Sequence, residues 1–225
     1  MLEDCKTQVI LTAQKAQREG LCRHKSGNVS VFDPESGFFL ITPSGIDREL
    51  LTLQDICVMD LQMKQIEGGR PSSESLMHAA CYRARKDIRA IVHTHSKMAT
   101  AFAVLNRPVP ATVFEMFVFH TEHACIPVAP YARPATEELA QNVAAVIAKN
   151  DMALMERHGA IAVGKSAEEA LMTAHYIEEF AEIYYYALQI NGGKEPPVFT
   201  AEELEAWRYP TLPEQEDGIK SPAQT

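Results

Sequence analysis

The strand-like run Asn28 to Val31 is separated from Phe38 to Thr42 only by Asp33-Pro34-Glu35-Ser36-Gly37 and its flanks, and a second turn, Pro43-Ser44-Gly45, follows at once. A parallel crossover needs a dozen or more residues, so strands this close are confined to antiparallel pairing. Further strand patterns cover Ile56 to Asp60 and Ile88 to His95. Another begins at Ala153 to Met155 and resumes at Ala160 to Val163. Between them run helical periodicities: Glu3 to Glu19, stopped by Gly20, then a helix capped by Ser72 or Ser73 that runs through Glu74 to Arg85. Met98 to Leu105, Thr136 to Lys149 and the longest, Ser166 to Gln189, follow, with a short candidate at Ala201 to Trp207. Val113 to Phe119 fits either a strand or an irregular apolar segment. Helices available to both faces of such a sheet predict a three-layer α/β/α sandwich around a central mixed, largely antiparallel sheet. The expected organisation is one domain, 1–190, and a Pro-rich, acidic tail, 191–225, partly ordered and placed to pack on a neighbouring subunit.

A formal net charge of -9, with 21 Lys and Arg spread along the chain, disfavours a nucleic-acid partner. Any anion bound here needs local backbone N–H groups, hydroxyls or a metal cation. Charged residues break up Met1 to Arg18, and no run approaches the length of a membrane span, so a cytoplasmic location is expected. The five cysteines are widely spaced and form no C-x-x-C pair, so they read as reduced thiols and not as zinc ligands.

Four segments carry candidate chemistry. His93-Thr94-His95 ends a strand, where residues two apart project to the same side and can share an ion; either histidine also fits an ordinary interface role. His158, between two strand segments and before Gly159, can add a third nitrogen or simply hydrogen-bond a turn carbonyl. Pro71-Ser72-Ser73-Glu74 sets two hydroxyls and a carboxylate at a helix start, which is also how many helices begin without further purpose. Gly27-Asn28 and Ser44-Gly45 are turns that supply materials for a phosphate cradle, or are merely turns.

Taken together and in order, these segments resemble the class II aldolase and adducin-head family. The resemblance spans about Glu3 to Ile190 and rests on SGNVS at 26–30, ITPSG at 41–45, PSSE at 71–74, VHTHS at 92–96, PVAPYA at 127–132 and RHGAIAVG at 157–164. It implies zinc held by His93, His95 and His158, with Glu74 as ligand at rest and as acid/base in turnover. It implies phosphate binding by Gly27, Asn28, Ser44, Gly45, Ser72 and Ser73. The implied reaction is reversible cleavage of a small ketose 1-phosphate, of the L-fuculose 1-phosphate or deoxypentulose 1-phosphate kind, to dihydroxyacetone phosphate and a small aldehyde. A homotetramer with active sites at subunit boundaries is implied as well. One departure concerns the aldehyde end, where a family tyrosine is replaced by Phe114, which has no proton to donate. Glu115, His120 or Tyr209 from a neighbouring subunit are the candidate substitutes. Within the same fold the alternatives are a ribulose-phosphate 4-epimerase and a non-catalytic assembly domain of the adducin-head kind.

Overall fold

The computed structural model describes residues 2–206. Helix α1 (Leu2–Arg18) has Glu3 and Asp4 in its first turn and Lys15 and Arg18 in its last, the charge order its dipole favours. A meander follows: β1 (Asn28–Asp33), β2 (Phe38–Ile41), β3 (Cys57–Asp60) and the short β4 (Gln65–Glu67). Next come α2 (Ser75–Ala84), β5 (Ala90–Thr94) and α3 (Lys97–Val104). Three two-residue strands, β6 (Val109–Pro110), β7 (Cys125–Ile126) and β8 (Val128–Ala129), precede α4 (Glu137–Ile147). The hairpin β9 (Met152–Met155) and β10 (Gly159–Gly164) leads into α5 (Ala167–Ile190), and α6 (Ala201–Ala206) closes the described chain.

Eight strands form one sheet in the order β4-β3-β2-β1-β5-β10-β9-β8, and β6 pairs with β7 apart from it. Every pairing in the large sheet is antiparallel except β8 with β9, so the sheet is mixed and largely antiparallel, as the short turns predict. Alternate residues serve opposite layers. Val29, Val31, Val92, Ala160 and Ala162 pack with α1, α3 and α5 through Val9, Ala13, Phe102, Leu171 and Phe180. Ile41, Ile91, Ile161 and Val163 pack with α2 and α4 through Met77, Cys81, Leu139, Val143 and Ile147. The period of two thus divides the core between the faces and completes the α/β/α sandwich.

The departures from expectation are local. The interrupted strand around His158 is a tight hairpin, Gly159 opposite Met155, turned by Arg157 at a φ of 54°. Val113 to Phe119 holds a 3-10 helix, Phe114–Val118, that buries Met116. Neither Ser72 nor Ser73 is the helix cap: Glu74 occupies the N-cap position of α2 without a side-chain capping bond, because its carboxylate is turned elsewhere. The start of the tail packs on its own chain. Tyr184 donates to Glu195 at 2.6 Å, Arg107 pairs with the same carboxylate, Phe199 N–H donates to the Ala111 carbonyl at 2.8 Å, and Leu204 is buried. Trp207 and Tyr209 lie outside the described residues. All five cysteines are free, and among the described residues no helix is long and apolar enough to cross a membrane.

Candidate functional site

Sheet register brings the candidate ligands together. In β5, His93 sits opposite Asn28 on one side and Ile161 on the other, and its side chain points to the α2 face like that of Ile91. Directly opposed residues on one face lie close enough to interact, so Asn28 and His93 converge. Across that face Glu74, at the start of α2, receives both: Asn28 Nδ2 donates to Glu74 Oε2 at 2.9 Å, and His93 Nε2 lies 3.1 Å from the same oxygen. His158, on the hairpin before β10, brings its Nε2 to 3.2 Å from Glu74 Oε1. His95, one residue past the end of β5, places its Nε2 3.0 Å from that of His93. Gly159 makes the approach possible, since a Cβ there would stand 2.3 Å from the Thr94 carbonyl and 3.2 Å and 3.3 Å from the rings of His95 and His93.

The three imidazoles stand nearly edge to face, with centroids 4.9 to 5.0 Å apart. Their ligand atoms and that of Glu74 all lie within 4.8 Å of one another. His93 Nδ1–H donates to the Ala160 carbonyl at 2.8 Å, which leaves Nε2 as the lone-pair nitrogen turned toward the others. Glu74 Oε1 and His158 Nδ1 are buried without a hydrogen-bond partner. Four lone-pair donors facing a common point, one with an orphaned oxygen, suit a divalent cation among three nitrogens and a carboxylate oxygen. The protonation states of His95, His158 and Glu74 suit that role. Burial, with the charge of His93 and His158, pushes His95 down to about 4, and burial and His93 lower His158, so both are neutral at pH 7. Burial alone would raise the Glu74 carboxyl, but the charge and hydrogen bond of His93, with His158 and Asn28, hold it far below the usual range. In the absence of a cation, burial opposes protonation of His93, and Glu74 outweighs it to raise that pKa.

Behind Glu74 runs a buried chain of hydrogen bonds that sequence reasoning missed. Tyr82 donates to Ser30 Oγ at 2.7 Å, and Ser30 donates to His78 Nδ1 at 2.7 Å. His78 Nε2–H donates to Asn28 Oδ1 at 2.5 Å, and Asn28 passes its N–H to Glu74. Burial drives His78 down to about 3, so it is neutral, and only the neutral ring can accept from Ser30 while donating to Asn28. The signal was present in the sequence: Glu74, His78 and Tyr82 recur at helical spacing, and Asn28 and Ser30 alternate on a strand.

Beside the four ligands opens a cavity of about 240 Å³, lined by Gly27, Asn28, Ser44, Gly45, Ser72 and Ser73 together with Glu74, His95 and His158. All six residues expected at the phosphate therefore meet at one cleft. Gly27 has a φ of 71°, and a Cβ there would meet Cys22 Sγ at 2.5 Å and the His93 carbonyl at 2.6 Å. Arg48 lines the same cleft and was not anticipated. Of the candidates for the aldehyde end, the described ones, Glu115 and His120, do not line it, and Tyr209 lies outside the described residues. Phe114 stacks on Phe117, and Glu115, on the same 3-10 helix, does not line the cavity of its own chain. His120 N–H donates to Asp151, and His123 lies 3.7 Å from Glu122.

The family described as Class II Aldolase and Adducin N-terminal domain matches residues 7–185. The L-fuculose phosphate aldolase of Escherichia coli O6:H1 is 39% identical over 197 residues, covering 88% of this chain and 89% of that protein. The 5-methylthioribulose-1-phosphate/5-deoxyribulose-1-phosphate aldolase of Escherichia coli O45:K1 is 38% identical over 176 residues, covering 78% of this chain and 81% of its own. A solved L-fuculose 1-phosphate aldolase superposes with a TM-score of 0.83 at 37% identity, over 90% of this chain and 93% of that one.

Proposed function

Because the chain belongs to the class II aldolase and adducin N-terminal domain family, we propose that it is a zinc-dependent aldehyde-lyase that reversibly cleaves a small ketose 1-phosphate. The observation that carries this reading is the convergence of Glu74, His93, His95 and His158 beside a cleft of small and hydroxyl-bearing residues. The solved relative and the second curated one are named for ketose 1-phosphates that differ at the far end of the sugar. Breaking the bond between the third and fourth carbons of such a sugar leaves dihydroxyacetone phosphate from one half and a small aldehyde from the other.

Zinc held by His93, His95 and His158, and at rest by Glu74 as well, would supply Lewis-acid stabilisation of negative charge that develops beside the breaking carbon–carbon bond. The residues of the chain do the rest. Gly27, Asn28, Ser44, Gly45, Ser72 and Ser73 hold the phosphate, which fixes the reacting carbons next to Glu74. Glu74, kept ionised by its neighbours, takes or returns the proton on the carbon that becomes the dihydroxyacetone phosphate terminus. The buried chain through His78 and Asn28 holds Glu74 Oε2 and leaves Oε1 without a hydrogen bond for this exchange. At the aldehyde oxygen, Phe114 cannot serve, and Glu115 or Tyr209 is assigned as the second acid. Since Glu115 lies off the cavity of its own chain, that role belongs to a neighbouring copy, in keeping with a homotetramer whose sites lie at subunit boundaries. The free cysteines accord with a cytoplasmic setting.

The test is a retro-aldol assay on a panel of ketose 1-phosphates, with and without chelator, repeated on Glu74→Gln. Release of free dihydroxyacetone phosphate, abolished by chelator and cut at least ~100-fold by the substitution, is expected. Near-wild-type turnover in Glu74→Gln removes that residue from the chemistry. A pentulose phosphate returned as its C4 epimer assigns the site to epimerisation instead.

A further inference from the structure

Positive charge at the cleft strengthens the hold of backbone N–H groups and hydroxyls on a phosphate dianion, and two side chains of formal positive charge line it: the exposed Lys25 and the buried Arg48. Arg48 is only 3% exposed. Its Nη2 donates to the carbonyls of Gly27 at 2.6 Å and Lys25 at 3.4 Å, and its Nη1 donates to those of Pro43 and Ile46 at 3.3 Å each. The first two carbonyls belong to the turn that carries Gly27-Asn28, and the second two flank Ser44-Gly45. One rigid fork therefore bridges both halves of the cradle, which come from different parts of the chain.

No direct ion pair answers its charge among the described residues, and the Asp47 carboxylate acts on it only at longer range. All four of these partners are neutral carbonyls, and among the described residues no carboxylate forms an ion pair with it. The adjacent Asp47 carboxylate is already taken up by Gln17 and the Glu49 N–H. Guanidinium stays protonated even where burial lowers its pKa, as it does here. A buried cation without a directly paired counter-charge is costly, and that cost is relieved when an anion enters the adjoining cleft.

We propose that Arg48 is the positioning residue of the anion cleft, bracketing its two turns at the spacing a phosphate dianion requires and supplying the buried positive charge that answers it. The inference rests on the phosphate reading given above. It assigns Arg48 no part in bond breaking, so its loss should act on phosphate binding and spare the metal and the chemical step.

The experiment is calorimetric titration of the purified protein with inorganic phosphate, paired with condensation kinetics in which dihydroxyacetone phosphate is varied. Wild type, Arg48→Met and Arg48→Lys are compared, with circular dichroism and metal content measured on each. Arg48→Met keeps the stem and loses charge and donors. Phosphate affinity should fall, and the KM for dihydroxyacetone phosphate rise, by roughly tenfold or more, with kcat and metal content little changed. Arg48→Lys keeps a point charge but cannot bridge four carbonyls, so a smaller loss of about threefold or more is expected. If Arg48→Met fails to fold, Arg48→Lys decides. Wild-type phosphate affinity in the folded variants overturns the inference while leaving the phosphate reading intact. A variant whose kcat and metal content collapse with its KM shows a merely structural role and also overturns it. No phosphate binding by wild-type protein removes the phosphate reading itself, and Arg48's role with it.

Discussion

Gly159→Ala tests whether metal binding depends on how closely the β9–β10 hairpin approaches β5. The added Cβ would lie 2.3 Å from the Thr94 carbonyl, so that carbonyl or the hairpin must retreat by about 0.7 Å to reach the 3.0 Å that real Cβ atoms keep. Thr94 lies between two of the ligands, His158 immediately precedes position 159, and the rings of His95 and His93 would press on the new methyl at 3.2 Å and 3.3 Å. Overpacking of this kind costs ~1–3 kcal/mol, against which the reduced freedom of the unfolded chain returns ~0.4–1 kcal/mol. A net loss of roughly 1–2 kcal/mol remains, which for a chain of this size lowers Tm by about 2–8 °C. The effect on the metal should be larger in proportion. Ligand distances tolerate only about 0.2 Å, so a shift of this size should weaken zinc binding ~10–100-fold. Stability is read from thermal melts of chelator-treated protein, and zinc affinity from competition with a chromophoric chelator. Gly69→Ala is the control, because a Cβ there meets nothing nearer than the Asp55 carbonyl at 3.7 Å and position 69 has no positive φ. Wild-type zinc affinity in Gly159→Ala would refute the claim that this close approach sets the ligand geometry.

Two further substitutions separate the buried chain from the scaffold. His78 has a folded-state pKa of about 3 against an ordinary 6.5, so as pH falls the unfolded chain takes up the proton first and stability is lost below about 6.5. Between pH 7 and pH 5 this group alone should cost ~2 kcal/mol. In denaturant unfolding of chelator-treated protein, His78→Gln should shed about that much of the acid sensitivity. A variant that loses as much stability as wild type over that range counts against a buried neutral imidazole. Ser166 accepts from Glu169 N–H at 3.1 Å while the Glu169 carboxylate accepts from Lys165 N–H at 3.1 Å, which together cap α5. Ser166→Ala should cost ~1 kcal/mol in a thermal or denaturant melt without changing zinc affinity, and a change in metal binding would contradict the separation of cap from site.

Much of the molecule was legible because its signals are local and long. The turn between β1 and β2 forced antiparallel pairing, Thr136 and Ser166 announced α4 and α5, and His93-x-His95 marked the end of a buried strand. Short elements escaped. The strands β4 and β6 to β8 span two or three residues, too few to show a period, and the 3-10 helix at Phe114–Val118 carries no pattern that sets it apart from a strand. Ser72 and Ser73 looked like helix caps because local propensity favours them there. Packing instead turned Glu74 toward Asn28 and the histidines and put its residue at the cap position.

By itself the chain's order of residues determined which segments become strands or helices, that the early sheet is antiparallel, and which histidines, carboxylate and turns were worth suspecting. Each of those follows from interactions between neighbours along the chain. Only the tertiary structure decided that Asn28 faces His93 across β1 and β5, that His78 and Tyr82 reach Asn28 and Ser30 on β1, and that Arg48 joins two turns beneath one cleft. These relations join residues from about 20 to 70 positions apart in the sequence, and their distances are set by strand register and by close packing of helix on sheet. A local pattern carries neither of those.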